Sequence, residues 1–412
     1  MATTHRLSRM SGRSEDESHR TATPLELFFD LSFVLAISAS SAELAHALAA
    51  DHLVTGLVGF AFTMFSIVWA WINFTWFASA YDTDDWLFRV TTMVQMVGVL
   101  VLAIGIPRLY ASLEHGTHLD NGLMVAGYVI MRLAMVFQWL RAAKQDPARR
   151  AACLAYAKAI ALAQVGWLVL IVVHTNPWQT FLLMVPLYVL ELGGPFFAER
   201  RRGGTPWHPH HVAERHGLLA IIALGECLLG TIAALSVLVD DRDGLSVDVV
   251  VLGLAGTGLA FSMWWLYFTL PSGEVLGRRR TIGFRWGYGH IAVFMAIAGT
   301  GAGLHVAAYY LEGESKIGPV GVVLATAVPV AVFGLCLAAL YAVLVGLDPA
   351  ALRNGLAALA LLALAVALAA AGVGVPWCLL VVMLAPVPTI ISDERGVARR
   401  REAALARLAE QP

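Results

Sequence analysis

The sequence predicts an all-α integral membrane protein with about twelve transmembrane helices. Of its 412 residues, 58% are hydrophobic and only 14% are charged, and the mean hydropathy is +0.71. Soluble domains are about 45–50% apolar and about 25% charged, so this chain has too little polar surface to cover a soluble core. Its apolar segments have lengths of roughly 20 residues, which is the length that a helix needs to cross a bilayer.

Twelve segments meet this length requirement. Their approximate ranges are 25–48, 53–78, 86–106, 120–141, 153–173, 177–198, 212–238, 248–271, 286–310, 318–346, 354–372 and 375–392. The last two are short, and only "AAGVGVP" at residues 370–376 separates them. That stretch predicts either a tight turn or a break within one longer helix.

The distribution of lysine and arginine predicts the orientation of the chain. With a cytoplasmic N-terminus, 24 of the 28 basic residues fall in the two tails, the even-numbered loops or the adjoining helix ends. Only Arg108, Arg242 and Lys316 fall in outer loops, and Arg132 lies within the fourth span. Because cytoplasmic loops carry an excess of basic residues, we expect a multi-pass protein of the bacterial cytoplasmic (inner) membrane with both termini cytoplasmic.

The sequence also has the pattern of an internal repeat. At offsets of 188 to 196 residues, Glu26 corresponds to Glu214, Trp71–Thr75 to Trp265–Thr269, and Phe88-Arg89 to Phe284-Arg285. These matches predict a first six-helix half at 25–198 and a second at 212–392. A cytoplasmic linker is expected at 199–211, with cytoplasmic tails at 1–24 and 393–412. Halves with an even number of spans share one orientation, so the repeat is predicted to be parallel.

Ionisable residues within the spans are the candidate functional residues, because a charge at the bilayer centre costs roughly 2.5–3.5 kcal/mol on insertion scales. Glu26 and Asp30 lie four residues apart and therefore share one face of the first span. Glu26 in the first helical turn complements the helix dipole. Asp30 lies about 9 Å further in than Pro24 at helical rise, which is too deep for that role.

Basic residues at the same side of the membrane suggest partners for the glutamates. We expect Glu26 to pair with Arg89, and the repeat predicts the equivalent pair Glu214–Arg285. Together these pairs would form an inner-face ion-pair latch, either as a fixed structural link or as a gate that opens during transport.

Three further charges are predicted to lie deep in the membrane. Arg132 in "GYVIMRLAMVF" is too deep to reach the interface. Glu226 in "ALGECLLG" and Glu191 in "LYVLELGGPFF" lie beside glycines, and Glu191 also lies beside Pro195. Such residues either line a proton or substrate site next to a broken helix or form buried ion pairs that fix helix register.

Histidines give a weaker indication. His290 and His305 lie fifteen residues apart on the ninth span, where they could relay protons or hydrogen-bond within the helix bundle. The segment "WHPHHVAERH" contains Pro209 and lacks the helical histidine pair of a metal site. The four cysteines lie scattered in apolar segments and predict neither disulfides nor a metal site. No metal, cofactor or catalytic residue is therefore expected, and the protein is not expected to be an enzyme.

Two long runs and one short run resemble the bacterial low temperature requirement A family. They are "ELFFDLSFVLAI" (Glu26–Ile37), "HVAERHGLLAIIALGE" (His211–Glu226) and "YVIMR" (Tyr128–Arg132). One departure is His216, where the family pattern suggests an aromatic residue such as phenylalanine. The resemblance implies a multi-spanning inner-membrane protein named for a growth phenotype, and it implies no particular substrate, reaction or cofactor.

The ionisable residues in the spans favour a secondary transporter or proton-linked permease. In this interpretation Asp30 or Glu226 carries an exchangeable proton, and Arg132 balances charge or binds an anion. The alternative is a non-transporting membrane scaffold or sensor that supports growth in the cold. An intramembrane enzyme acting on lipid is a third hypothesis, but the sequence lacks a recognisable nucleophile or zinc motif. The expected partners are the lipid bilayer and a small solute or proton; the net charge of −1 does not suggest nucleic acid.

Overall fold

The structure, a computed structural model, describes residues 7–14, 17, 20–115, 118–173, 175–201, 204–241, 246–346 and 349–396. Across these ranges the regular secondary structure is helical, without a β-strand. The helices are α1 (Pro24–Ala49), α2 (Leu53–Tyr81), α3 (Trp86–His115), α4 (Gly122–Gln145), α5 (Arg150–Val172), α6 (Pro177–Glu199), α7 (Pro209–Ala223), α8 (Gly225–Asp241), α9 (Val247–Phe268), α10 (Ser272–Arg278), α11 (Gly283–Leu311), α12 (Pro319–Leu344), α13 (Pro349–Ala370) and α14 (Val375–Met383), with a 3-10 turn at Arg280–Ile282.

Twelve helical segments of the described chain are long and apolar enough to cross a membrane, which confirms the predicted fold class. The seventh span, Pro209–Val239, contains a break between α7 and α8 at Leu224. The eighth, Val247–Arg278, contains α9 and α10. Breaks of this kind leave backbone groups near the membrane interior without regular helical partners, and nearby polar groups can then reach them.

The turn between α13 and α14 explains how two short spans fit at residues 349–396. Gly372 has a φ of +86°, a left-handed conformation that glycine adopts at little cost. The Gly372 amide donates to the Ala369 carbonyl, and the Val373 amide donates to the Leu368 carbonyl. This pattern is a glycine-terminated helix cap, so "AAGVGVP" forms a tight turn.

The chain forms two compact units that interleave along the sequence. The first comprises Met1–Ser40 and Phe65–Arg215, and the second comprises Ser41–Met64 and His216–Pro412. Helices α1, α2 and α7 each contribute residues to both units. The predicted six-helix repeat and its boundaries stay predictions, and residues 397–412, most of the predicted C-terminal tail, lie outside the described residues.

In the first unit, small residues bring α3 and α4 close together. A Cβ atom added to Gly98 would lie 2.7 Å from the carbonyl oxygen of Gly127 on α4. Close backbone approach through small residues is the usual way in which membrane helices gain van der Waals contact without a hydrophobic driving force.

The N-terminal segment of the first unit is held against the ends of these helices. The Ser8 amide donates to the Asp85 carboxylate at 3.1 Å, and the Met10 amide donates to Gln145 Oε1 at 2.6 Å. Arg141 bonds both the Asp85 carboxylate and the Ser8 carbonyl, and the Met10 side chain is fully buried. Ser8 and Met10 of the polar N-terminal segment therefore pack as part of the fold.

In the second unit, α8 packs closely on α11. A Cβ atom added to Gly230 would lie 2.7 Å from the Gly301 carbonyl oxygen, and one added to Gly301 would lie 2.7 Å from Cβ of Glu226. These glycines place the Glu226 side chain, which is 1% exposed, directly against the α11 backbone.

Candidate functional site

The first unit contains a buried group of charges that we call the first charge cluster. It consists of Arg20, Glu26, Asp30, Asp82, His211 and Arg215. Its geometry begins at the N-terminus of α1, where the Thr23 amide donates to Glu26 Oε2 at 2.8 Å and the Glu26 amide donates to Thr23 Oγ1 at 3.3 Å. This reciprocal pair is a capping box, and Pro24 at the first helical position suits it. Local sequence alone thus fixes the position of Glu26.

Glu26 also binds two residues of α7. Its Oε1 atom lies 3.0 Å from Arg215 Nη1 and 3.2 Å from His211 Nε2. His211 and Arg215 are four residues apart, so they share one helix face. All three side chains are completely buried, so their mutual attraction is weakly screened by solvent.

Asp30 completes this arrangement one turn further along α1. Its Oδ1 atom accepts hydrogen bonds from Arg215 Nη2 at 2.5 Å and from Trp71 Nε1 at 2.6 Å. Its Oδ2 atom is buried and has no hydrogen-bond partner among the described residues. A buried carboxylate oxygen without a hydrogen-bond donor is costly, so binding of a proton or of a hydrogen-bond donor at Oδ2 is favourable.

The charges of the first charge cluster do not balance. Three carboxylates, those of Glu26, Asp30 and Asp82, face two guanidiniums, those of Arg20 and Arg215. With neutral His211 the cluster therefore carries one excess negative charge. The uptake of one proton makes the cluster neutral. This uptake is favourable because an uncompensated buried charge is costly.

Arg20 links the cluster to the end of α2. It donates to the carbonyl oxygens of Ala78 and Ser79 and lies 3.9 Å from Glu26 and 3.8 Å from Asp82. A cation at a helix C-terminus satisfies its last carbonyls and complements its dipole. Burial lowers the pKa of Arg20 to about 10, which leaves it charged at neutral pH.

Asp82 is the member of the cluster that lies just beyond the second span. Burial, with a further contribution from the Glu26 charge, raises the pKa of Asp82 to about 6, although Arg20 opposes this shift. In the unfolded chain an aspartate has a pKa near 3.9. Between these two pH values the folded state holds more protons than the unfolded state, so this residue makes the protein less stable as the pH rises.

We expect Asp82→Asn to stabilise the protein relative to wild type at pH 7.5 and to have less effect near pH 4. The stabilisation by Asp82→Asn should be about 2 kcal/mol larger at pH 7.5 than near pH 4, because Asn carries no charge to bury. Thermal unfolding of both proteins in detergent across this pH range measures it. Asp51→Asn, at an exposed loop position, is the control, and a stability difference that does not change with pH would contradict the expectation.

A second charge cluster in the same unit is centred on Glu191 of α6. Glu191 Oε2 lies 2.5 Å from Arg132 Nη2 of α4, and the two side chains are 3% and 1% exposed. Four further donors surround the Glu191 carboxylate at 2.9–3.4 Å: Trp69, Tyr128, Gln164 and Trp167. Both carboxylate oxygens of Glu191 therefore accept hydrogen bonds. Of the two interpretations of the sequence, this geometry corresponds to a buried ion pair.

Helix α2 supplies one tryptophan to each cluster. The Trp69 indole N–H donates to Glu191, and the Trp71 indole N–H donates to Asp30. Residues two apart in a helix point about 200° away from each other, so opposite faces of α2 carry these donors. Asp30 and Arg132 therefore belong to separate clusters.

The predicted Glu26–Arg89 pair of the inner-face latch is wrong. Arg89 is exposed and binds Asp84, five residues earlier, through hydrogen bonds of 2.8 and 2.7 Å. Arg89 therefore pairs with a carboxylate close to it in sequence, whereas the carboxylate of Glu26 pairs with Arg215. Glu214 and Arg285 belong to different units, and that pair stays a prediction.

The second unit contains the remaining predicted site residues. Glu226 lies in the first turn of α8, directly after the helix break at Leu224. His290 is fully buried, and its Nδ1 lies 2.8 Å from the Trp286 carbonyl oxygen, which can only accept. The remaining nitrogen, Nε2, therefore faces the Tyr267 hydroxyl at 3.0 Å as the acceptor. Both ring nitrogens of His290 are thus engaged in the helix bundle.

Sequence reasoning missed Arg215 and His211, the cationic side of the first charge cluster. The repeat pattern directed attention to Glu214, whose side chain points about 100° away from that of Arg215. The i, i+4 spacing of His211 and Arg215 within "HVAERH" was an available signal, since it places two basic groups on one face of an apolar helix.

Comparison with known proteins gives a family match over most of the chain. The family model described as bacterial low temperature requirement A protein matches residues 21–386. An uncharacterised protein of Rhizobium meliloti (strain 1021) is 26% identical over 308 residues, which cover 71% of this chain and 70% of that protein. No solved structure matches the chain. The matched region contains the second charge cluster and every member of the first charge cluster except Arg20.

Proposed function

Since the chain belongs to the bacterial low temperature requirement A family, and twelve of its described helical segments are long and apolar enough to cross a membrane, we propose that it is a proton-linked secondary transporter and not an enzyme. We place it in the cytoplasmic membrane with both termini cytoplasmic, because that orientation puts most of its lysine and arginine residues inside. The proposed proton site is the first charge cluster.

The observation that carries this proposal is the coordination of Asp30. One of its oxygens is held by Arg215 and Trp71, while the other is buried without a partner among the described residues. Proton binding at this carboxylate removes the excess negative charge of the cluster. Release of the proton leaves Asp30 free to bind Arg215 as a full ion pair, so the protonation state changes the strength of the link between α1 and α7.

Such a change is what a coupled transporter requires. A proton can drive a conformational equilibrium only if it binds the two states with different affinity. The guanidinium shared between Glu26 and Asp30 supplies this difference, because opening the cluster to water weakens its Coulomb attraction. The helix break beside Glu226 in the second unit also agrees with transporter sites, where interrupted helices adjoin buried charges.

A non-transporting scaffold or sensor is the second candidate. The Arg132–Glu191 pair favours it, since five donors hold one carboxylate in a way that fixes helix positions and leaves no oxygen unpaired. The two functions differ in one measurable property, which is the coupled movement of a proton and a solute.

The test uses purified protein in liposomes that contain a trapped pH-sensitive dye. Fractions of small solutes from a bacterial extract are added outside, and wild-type protein is expected to produce solute-dependent acidification of the interior. Asp30→Asn should abolish this signal, whereas Asp51→Asn in an exposed loop should retain it. Wild-type protein without any solute-dependent proton flux would favour the scaffold, and full flux in Asp30→Asn would remove Asp30 from the proton site.

A further inference from the structure

A groove between α5 and α6 in the first unit has the chemistry of a phospholipid site. It has a volume of about 690 Å³ and is lined mostly by small and apolar side chains. At the end of α6 the lining includes Arg201, and on α5 it includes Lys158. We propose that this groove binds one anionic phospholipid, with an acyl chain along the apolar walls and the headgroup phosphate between Lys158 and Arg201.

The shape of the groove follows from the residues of the two helices. Ala151, Ala155 and Ala159 recur every four residues on the facing side of α5, so their methyl groups form a stripe along this side, beside Leu154 and Lys158. On α6, Gly193 and Gly194 line the groove, and a Cβ atom at Gly194 would lie 2.7 Å from Cβ of Ala159. The helices therefore touch at Gly194 and leave a channel beside this contact.

The length of the groove fits one leaflet. From Pro186 to Phe197 the α6 wall rises roughly 16 Å at 1.5 Å per residue, and half of a hydrocarbon core is about 15 Å. Val189 and Phe197 on this wall are 68% and 63% exposed. These apolar surfaces match an acyl chain that lies parallel to α6.

The basic residues select the charge of the headgroup. Within the described residues, neither Lys158 nor Arg201 forms an ion pair, and both are exposed. Lys158 lies eight residues inside the start of α5, or about 12 Å. Helical side chains lean toward the helix N-terminus, and a lysine at this depth can extend its ammonium group to the interface. Basic pockets between transmembrane helices attract anionic headgroups. The nearby Arg200 guanidinium, 3.9 Å above the Phe196 ring, adds positive charge to the same end.

The test compares phosphatidylglycerol with zwitterionic phosphatidylcholine, using full-length protein and native mass spectrometry to count retained lipids. Wild-type protein should retain one phosphatidylglycerol in preference to phosphatidylcholine. Lys158→Met and Arg201→Gln should each weaken this retention on the order of fivefold. Lys144→Met and Arg150→Gln, at exposed positions outside the groove lining, remove the same charges and should have no effect.

A second variant tests the apolar part independently of charge. A Cβ atom at Gly193 would meet only Phe197 at 3.5 Å, so Gly193→Leu fills the groove without a backbone clash and should exclude both lipids. Equal retention by the Lys158 and Lys144 variants would overturn the proposal. Displacement of the retained lipid by millimolar inorganic phosphate would overturn it as well, since that result indicates a free-phosphate site. A dimer whose contact excludes lipid would assign the groove to a second copy of the chain and overturn it too.

Discussion

Arg215→Met is expected to destabilise the protein by about 3–5 kcal/mol, because it leaves Glu26 and Asp30 as two buried carboxylates without their shared cation. The variant still contains Arg20, but that guanidinium lies 3.9 Å from Glu26 and bonds the α2 carbonyls. It therefore replaces little of the lost attraction. Unfolding in detergent, followed by circular dichroism, measures the change.

The double variant Arg215→Met with Asp30→Asn makes the prediction specific to the pair. Asp30→Asn removes the carboxylate charge that Arg215→Met leaves unpaired, so the double variant should be more stable than Arg215→Met alone. The expected coupling energy is about 0.5–3 kcal/mol, the range for residues in one hydrogen-bond or salt-bridge network. Strictly additive effects of the two substitutions would show that Asp30 and Arg215 do not act as a pair. Arg150→Gln, at an exposed position, controls for the loss of a basic residue.

Composition and periodicity predicted the spans because hydrophobic length is a local property. The turn at Gly372 was one of two alternatives that the sequence left open, because a glycine between two short apolar segments marks either a helix end or a break. Glu26 was recognised at a helix start, and its capping box with Thr23 depends only on neighbours three residues apart.

The partners of the buried charges could not be read in the same way. Arg215 is 185 positions beyond Asp30 in the sequence, and helix spacing says nothing about which distant face it meets. Arg89 was chosen for Glu26 because both were expected at one membrane surface, yet that surface carries many bases. Arg89 pairs with Asp84 instead, because a contact between residues five apart requires little ordering of the chain.

The hydrogen bonds of the α2 tryptophans are likewise not readable from the sequence. Trp69 and Trp71 pack in the core, but each also donates its one N–H group to a buried carboxylate. An indole can donate only once, so the direction of that bond is fixed. The two indole N–H groups lie on opposite faces of one apolar helix, an arrangement that a structure shows and a hydropathy profile does not.

The second charge cluster yields an asymmetric prediction: Glu191→Gln should cost more stability than Arg132→Met. Loss of Glu191 leaves a guanidinium that cannot lose its proton, and its Nε and Nη1 atoms already lack hydrogen-bond partners among the described residues. We expect a cost of about 3–5 kcal/mol for this buried unpaired charge.

Arg132→Met should cost only about 1–3 kcal/mol, since Glu191 keeps its four neutral donors, Trp69, Tyr128, Gln164 and Trp167. Unfolding of both variants in detergent, followed by circular dichroism, measures the two costs. Equal costs would mean that Tyr128 and the indole donors do not support the carboxylate, and that Arg132 alone holds it in the membrane.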